Sequence, residues 1–349
     1  MNQKLRVLHV TPMYPTPQRP ARGTFVKSQI DSLKGIVDAE VHVIAGGQGP
    51  LPYLKNLGEL RARLKEDFDV IHVHYGNLAS MVKILGTGGK PVVTSYCGTD
   101  LLGDRPTTGR PRLRDRFYAP LNRCLARQDA QAIVKSAVLA RQVESIVESL
   151  SIVPNGVDIS KFRPMDRTEC RERIGLAEEK RPVILFGADP ANKIKNFALL
   201  EDALSKFLAD TFRVLTFAGG IIKHDEIPLY MNAADLVVLT SHHEGSPNVV
   251  KEATACGRPV FGTPCGDVEF MLDGVEGSRV IGYNPMKWAR AFQHLLDGDL
   301  PARNNGHDKL IEKGIDMESI ARRLEGIYLE AAGWPVSSKR DEEPLPVAA

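Results

Sequence analysis

The chain has 349 residues, with 45 basic and 43 acidic side chains, a formal charge of +2 and 43% hydrophobic content. That near-neutral balance does not indicate a dedicated nucleic-acid binder, and the length exceeds the size at which one core stays compact, so two domains are expected. Five cysteines, Cys97, Cys124, Cys170, Cys256 and Cys265, form no Cys-x-x-Cys pair, which points away from a disulfide framework or a structural zinc site and fits a reducing cytoplasm.

No apolar run approaches the ~20 residues of a membrane span. Short apolar runs at 5–10, 40–44, 70–73, 91–94 and 132–134 alternate with amphipathic stretches, as the parallel strands of an α/β sheet do. The loop after the first run carries Arg19, Arg22 and Lys27 and sets Gly23 and Thr24 at a helix start, where glycine lets a phosphate approach the backbone closely. His72 and His74 alternate on one strand face; two ligands without a third favour a structural role over a metal site. The stretch 86–90 mimics a phosphate loop but runs into Pro91 and a strand instead of a helix. Residues 110–118, with Arg123 and Arg127 beyond, form the one strongly basic stretch, read either as a solvated helix face or as a contact to an anionic acceptor or membrane surface.

A turn-rich segment at 153–165 marks a boundary near residue 160, after which the theme repeats with apolar runs at 182–186, 212–217, 236–239 and 259–261. Lys193 and Lys195 sit in the loop after the first of these, just ahead of a helical run, and suit a diphosphate; surface lysines are the plain alternative. The most informative stretch is the nine-residue span from Glu244 to Glu252. Gly245 supplies a turn, Ser246 suits the N-cap, Pro247 the first helical position, and Gly257 is placed to end the helix. Asn248 and Glu252 then share one face, while Val249, Ala253 and Cys256 form an apolar stripe toward the sheet. A helix start with unpaired N–H groups suits a phosphate and neighbouring carboxylates suit sugar hydroxyls, so the span fits a nucleotide-sugar site as well as it fits two solvated glutamates. His242, His243 and Glu244 look like a metal cluster only on paper, since adjacent histidines leave a strand in different directions; no metal is assigned. A late amphipathic run at 317–330 is expected to return to the first domain, and the tail after Trp334 reads as disordered.

In order along the chain, 153–162, 195–200, 230–236 and the Glu244/Glu252 pair, with looser matches at 23–29, 72–75 and 97–103, resemble the retaining glycosyltransferases of the GT4 family (glycosyltransferase group 1). The resemblance implies the GT-B fold, an α/β architecture of two Rossmann-like, doubly wound parallel-sheet domains facing a central cleft. It places an acceptor domain at 1–160, completed by a C-terminal helix at about 315–333, a donor domain at 161–314 and a disordered tail at 335–349. By position it implies that Glu244 contacts the donor sugar hydroxyls and Glu252 the ribose hydroxyls. The backbone of Gly245, Ser246, Pro247, Asn248 and Val249 then lines sugar and phosphate, Lys195 binds the diphosphate, and Gly23 lies beneath the phosphates.

Lys193 stands in for the family's arginine, whose place Ala188 occupies. Asp100 holds sugar or acceptor, beside Cys97 where the family carries histidine. Lys195, Glu244 and Asp100 are the expected catalytic set, with no metal and no cofactor beyond the nucleoside-diphosphate sugar substrate. The implied reaction is metal-independent transfer, with retention, from a UDP-sugar first or a GDP-sugar next to a carbohydrate, lipid-linked or small-molecule hydroxyl acceptor, in cell-surface polysaccharide, glycolipid or glycoconjugate biosynthesis. The expected location is the cytoplasm, with peripheral contact at the inner face of the membrane. Cys97 and Ala188 motivate the alternative of a non-catalytic nucleotide-sugar sensor or partner subunit.

Overall fold

The computed structural model describes residues 4–17, 22–44, 51–97, 100, 113–218 and 222–335. Arg19, Gly98, Thr99, residues 110–112 of the basic stretch and the tail beyond 335 lie outside the described residues, as do the side chains of 113–117. The chain divides into two compact units, Met1–Gly156 with Met317–Ala349, and Val157–Asp316.

In the first unit the strands β1 (Arg6–Thr11), β2 (Asp38–Val43), β3 (Val70–His74), β4 (Val92–Tyr96), β5 (Gln131–Val134) and β6 (Leu150–Ile152) form a six-stranded sheet in the order β2-β1-β3-β4-β5-β6. Every pairing is parallel. Val7, Leu8, Val10, Ile71, Val73 and Ile133 are buried, which is why these strands read as near-continuous apolar runs. β6 is short and only half-buried, so Leu150-Ser-Ile carries no comparable signal. The helix Met317–Ala331 packs Ile320, Ala321, Leu324, Ile327 and Tyr328 against Leu5, Val7, Val70, Val93 and Ile133, a spacing that makes one apolar stripe. Burial of that stripe is what commits the end of the chain to the first unit.

A polar layer sits beneath this helix. The β1–β3 register sets His9 beside His72, so the expectation that the strand histidines lack a third partner is corrected: pairing of distant strands supplies one. His72 Nδ1 lies 2.6 Å from the Tyr328 hydroxyl and its Nε2 2.8 Å from Ser95 Oγ, while His9 Nδ1 and His74 Nε2 share a hydrogen bond of 3.2 Å. The His72 and His74 rings stack with centroids 4.3 Å apart at 24°. One ring nitrogen from each of His9, His72 and His74 lies within 4.8 Å of the others, so the layer is a hydrogen-bonded cluster that also gathers three potential metal ligands.

In the second unit β7 (Val183–Phe186), β8 (Arg213–Thr216), β9 (Leu236–Leu239), β10 (Val260–Gly262) and β11 (Arg279–Val280) form a five-stranded parallel sheet in the order β11-β10-β9-β7-β8. Alternate residues enter two cores. Val183, Leu185, Val237 and Leu239 pack with Val250 and Ala253 on one face, and Ile184, Phe186, Leu236 and Val238 with Leu199, Leu200, Trp288 and Phe292 on the other. β8 lies on one side of β7 and β9 on the other, so the strand order reverses at β7/β9. In an open parallel sheet such a reversal parts the two following loops and leaves a crevice at the strand carboxyl ends.

The buried histidines make stability depend on pH. Burial pushes His9 from 6.5 down to about 3 and holds His72 and His74 well below their ordinary value. The folded state therefore keeps these rings neutral at a pH where the unfolded chain protonates them. Unfolding takes up protons below pH 6.5, and the contribution is lost progressively from there toward pH 3. The limiting slope is about 1.4 kcal/mol per pH unit for each histidine. Asp129 and Asp267, raised by burial, act in the opposite direction, so a variant is needed to isolate the effect. Urea midpoints measured from pH 7 to pH 5 should fall more steeply for the wild type than for His9→Gln; parallel slopes would contradict the assignment.

Candidate functional site

The site is built on the loops that follow β7 and β9. After Phe186 the chain passes Gly187, where a Cβ would stand 2.3 Å from Val249 Cγ2; glycine is what lets the helix Asn248–Ala255 lie against the end of β7. The Asn192 side chain accepts from the Ile194 N–H at 3.1 Å and starts a single 3-10 turn, Lys193–Lys195. Asn196 follows with φ 52°, a left-handed conformation that asparagine tolerates, and leads into the helix Phe197–Leu204. Thr240, directly after β9, places Oγ1 2.8 Å from the Lys195 carbonyl and 2.9 Å from that of Asn196, and the His242 N–H donates to the Ile194 carbonyl at 2.9 Å. The two loops are thus stitched together by backbone and hydroxyl hydrogen bonds.

This stitching brings Lys195 to Glu244. Lys195 Nζ donates to Glu244 Oε1 at 2.5 Å, and Ser241 Oγ donates to the same oxygen at 2.7 Å. Both members are partly accessible, with 27% and 16% of their side chains exposed, so the pair can be opened by a ligand from solvent. Lys193 occupies the other end of the 3-10 turn and is exposed. His242 stacks on Tyr283 with centroids 5.6 Å apart, and the Tyr283 hydroxyl lies 3.2 Å from the Ser241 carbonyl, so His242 forms part of the wall. His243 is exposed.

Ser246 does not cap the helix. Pro247 occupies the N-cap position of Asn248–Ala255 without a side-chain hydrogen bond, and the Ser246 hydroxyl turns inward. It donates to Asp267 Oδ2 at 2.6 Å and accepts from Lys251 Nζ at 2.8 Å. Lys251 is fully buried, and burial raises the Asp267 carboxyl above its ordinary value. A hydroxyl that bridges the Lys251 ammonium and one oxygen of the Asp267 carboxylate makes two charge-assisted hydrogen bonds, which outweighs the modest gain of a cap. The apolar stripe reaches the core as expected: Ala253 and Cys256 are buried in it together with Val250 and Ala255, and half-buried Val249 packs against it beside Gly187. Asn248 and Glu252 are both half-buried. Glu252 Oε1 lies 3.7 Å from His224 Nε2, and Lys161 Nζ lies 2.6 Å from His224 Nδ1.

Two expected site residues belong to the other unit. Gly23, with φ 71°, begins the helix Thr24–Ser32, and a Cβ there would lie 2.4 Å from the Met13 carbonyl, so its own backbone demands glycine. Asp100 is buried and accepts from the Gly76 N–H at 2.8 Å and the Cys97 N–H at 3.1 Å. The Cys97 thiol is pushed up to about 12, by burial first and the Asp100 charge second, so it stays protonated near neutral pH.

Ser241, Lys251, His224 and Asp267 were not singled out by sequence. For Asp267 a signal existed: Pro264-Cys-Gly-Asp267 closes the strand run next to β9 in the same way that 240–245 closes β9 itself.

Two α/β units, each with a parallel sheet, are the architecture of the GT-B fold. The chain belongs to the group 1 glycosyl transferases of family 4: residues 2–161 match the family described as Glycosyltransferase Family 4, and residues 176–298 that described as Glycosyl transferases group 1. It is similar to the D-inositol 3-phosphate glycosyltransferase of Actinosynnema mirum, at 28% identity across 68% of this chain and 67% of that one. The D-inositol 3-phosphate glycosyltransferase 1 of Catenulispora acidiphila is 27% identical across 75% and 73%. Among solved structures, sucrose-phosphate synthase from Thermosynechococcus elongatus superposes with a TM-score of 0.72 at 16% identity, covering 93% of this chain and 98% of that one. Anabaena Alr3699/HepE in complex with UDP-glucose gives 0.69 at 19%, covering 91% and 98%.

Gly266 tests the packing of the loop. Its φ is +61°, and a Cβ would fall 2.6 Å from the Gly245 carbonyl oxygen, a backbone atom that cannot swing aside. Gly266→Ala should lower unfolding stability by about 1–3 kcal/mol, as overpacking at a left-handed position does. An unchanged urea midpoint would show that the 244–247 loop gives way freely.

Proposed function

We propose that the protein transfers a sugar, with retention at the anomeric carbon and without a metal, from a UDP-sugar, or next a GDP-sugar, to a hydroxyl acceptor. The observation that carries this reading is the Lys195–Glu244 pair at the β7/β9 reversal. A diphosphate entering there competes for the Lys195 ammonium, a compact charge suited to phosphoryl oxygens. Glu244, released from Lys195 and still held by Ser241, turns its acceptor oxygens to sugar hydroxyls. The start of the helix Asn248–Ala255, which no side chain caps, offers its N-terminal end to a phosphate, and Glu252, set beside His224, takes the ribose hydroxyls. As the glycosidic bond breaks, charge gathers on the departing diphosphate and Lys195 neutralises it; Lys193 supplements that charge from the exposed side. The acceptor hydroxyl attacks from the face the diphosphate leaves, and a phosphate oxygen takes its proton, so no carboxylate in the site serves as general acid or nucleophile.

UDP-glucose bound to the structurally similar Anabaena protein supports a uridine donor, and an inositol phosphate, as in the relatives' names, is a reasonable first acceptor to try. Gly23 and Asp100 are assigned to the phosphates and to the acceptor, respectively. Among the described residues no helix is long and apolar enough to cross a membrane. We place the protein in the cytoplasm, with peripheral membrane contact through the basic 110–127 stretch as part of the proposal.

Lys195→Ala should slow release of nucleoside diphosphate from a donor sugar by about 100-fold or more, on the order of 3 kcal/mol, by analogy with removal of a transition-state donor. Turnover equal to wild type in a coupled diphosphate-release assay would reject the leaving-group role. Glu252→Ala should weaken nucleotide affinity in calorimetry while Lys193→Ala has the smaller effect; wild-type affinity in Glu252→Ala moves the ribose elsewhere. Donor binding without diphosphate release in the wild type would favour a sensor over an enzyme.

A further inference from the structure

We propose that Lys135, in the first unit, is the binding residue for an anionic group, a phosphate monoester, carried by the acceptor. The proposal rests on the glycosyltransferase reading only in calling that ligand the acceptor.

Lys135 follows β5 directly and is 5% exposed, yet its Nζ makes no hydrogen bond. A buried amine with unpaired donors is costly, by several kcal/mol if charged, and folded proteins seldom leave one without a partner. The polar groups within electrostatic reach are Cys97, Asp100, His72 and His74. None of them meets its need. The two histidines are neutral through burial and engaged with Tyr328, Ser95 and His9, and the Cys97 thiol is protonated. Asp100 supplies a neighbouring charge, but its carboxylate is oriented by the Gly76 and Cys97 N–H groups and Lys135 does not reach it. The amine's donors therefore remain for a ligand, and a bound anion would offset the burial that lowers the Lys135 pKa.

The place is also right for one. β3, β4 and β5 are adjacent in the sheet, and their carboxyl ends carry Tyr75, Cys97 and Lys135 in turn. Ligands of parallel sheets gather at such ends. Tyr75 adds an independent sign: its φ is 83°, a conformation that a bulky aromatic side chain adopts only at a cost of about 1–3 kcal/mol and that recurs at functional sites. Gly76 beside it admits no side chain, since a Cβ would stand 2.7 Å from the Tyr96 ring, and this close approach brings the Gly76 N–H to Asp100. A phosphate on Lys135 with a neighbouring hydroxyl on Asp100 describes a phosphorylated polyol or sugar: the ammonium fixes the anion and the carboxylate accepts from the hydroxyl.

A phosphate could also bind where the donor diphosphate is proposed to sit, so the test separates the two with inorganic phosphate as the probe. Thermal unfolding of the full chain is followed with rising phosphate, against sodium chloride at matched ionic strength, for wild type, Lys135→Met, Lys135→Gln and Lys195→Ala. Phosphate should raise the midpoint of the wild type and of Lys195→Ala, and the rise should fall by at least half in both Lys135 variants. Without phosphate, Lys135→Met should be no less stable than wild type, because an apolar side chain of similar length replaces an unpaired amine. An equal phosphate response in the Lys135 variants overturns the proposal, as does a response lost only in Lys195→Ala or absent from every protein. Failure of the donor reading would appear separately, as unchanged diphosphate release in Lys195→Ala.

Discussion

The reversal of strand order at β7/β9 is the constraint on which the second unit's chemistry depends. Because β8 and β9 lie on opposite sides of β7, the loops leaving β7 and β9 are not covered by a crossover and can face each other. Lys195 comes from one loop and Glu244 from the other, 49 positions away in sequence, and they meet at 2.5 Å. The contact is held from below by Thr240 and His242, which bind the 3-10 turn through its backbone carbonyls, so the turn's side chains stay available. A pair of opposite charges that is only partly buried gains little stability on its own. In the proposed reaction its value lies in keeping an ammonium and a carboxylate poised, each neutralising the other until a ligand with both phosphate and hydroxyl groups separates them.

The loop that carries Glu244 is fixed by a second, wholly different device. Asp267, Ser246 and Lys251 form a buried line of hydrogen bonds, and Gly266 lets the β10 loop approach the Gly245 carbonyl closely. Gly187 does the same for Val249 at the end of β7. Glycines here are used for proximity between backbone segments, and the polar line supplies direction. Together they hold residues 244–249 with little slack, which the proposed donor site requires in order to discriminate hydroxyl positions.

Much of this was legible in the sequence, because parallel strands buried on both faces must be continuous apolar runs; 236–239 matches β9 residue for residue. Strand ends drifted where polar residues such as Thr11 and His74 are buried and continue the ladder. β6 and β11, of three and two residues, gave too little pattern. The misread residues share one cause. Ser246 resembles an N-cap when only its sequence neighbours are considered, but its partners include Asp267, twenty-one positions away, so tertiary hydrogen bonding overrode local propensity. His9 completes the histidine layer through a strand pairing that no local pattern reveals. Lys135 looks like an ordinary lysine before a helix until its burial is seen.

The most direct test is a crystal structure of the full chain soaked with a non-transferable UDP-sugar, such as UDP-2-fluoroglucose. The prediction is that Lys195 Nζ leaves Glu244 Oε1 for a diphosphate oxygen while Glu244 hydrogen-bonds a sugar hydroxyl and Glu252 the ribose. A nucleotide bound elsewhere with the Lys195–Glu244 pair intact would contradict it.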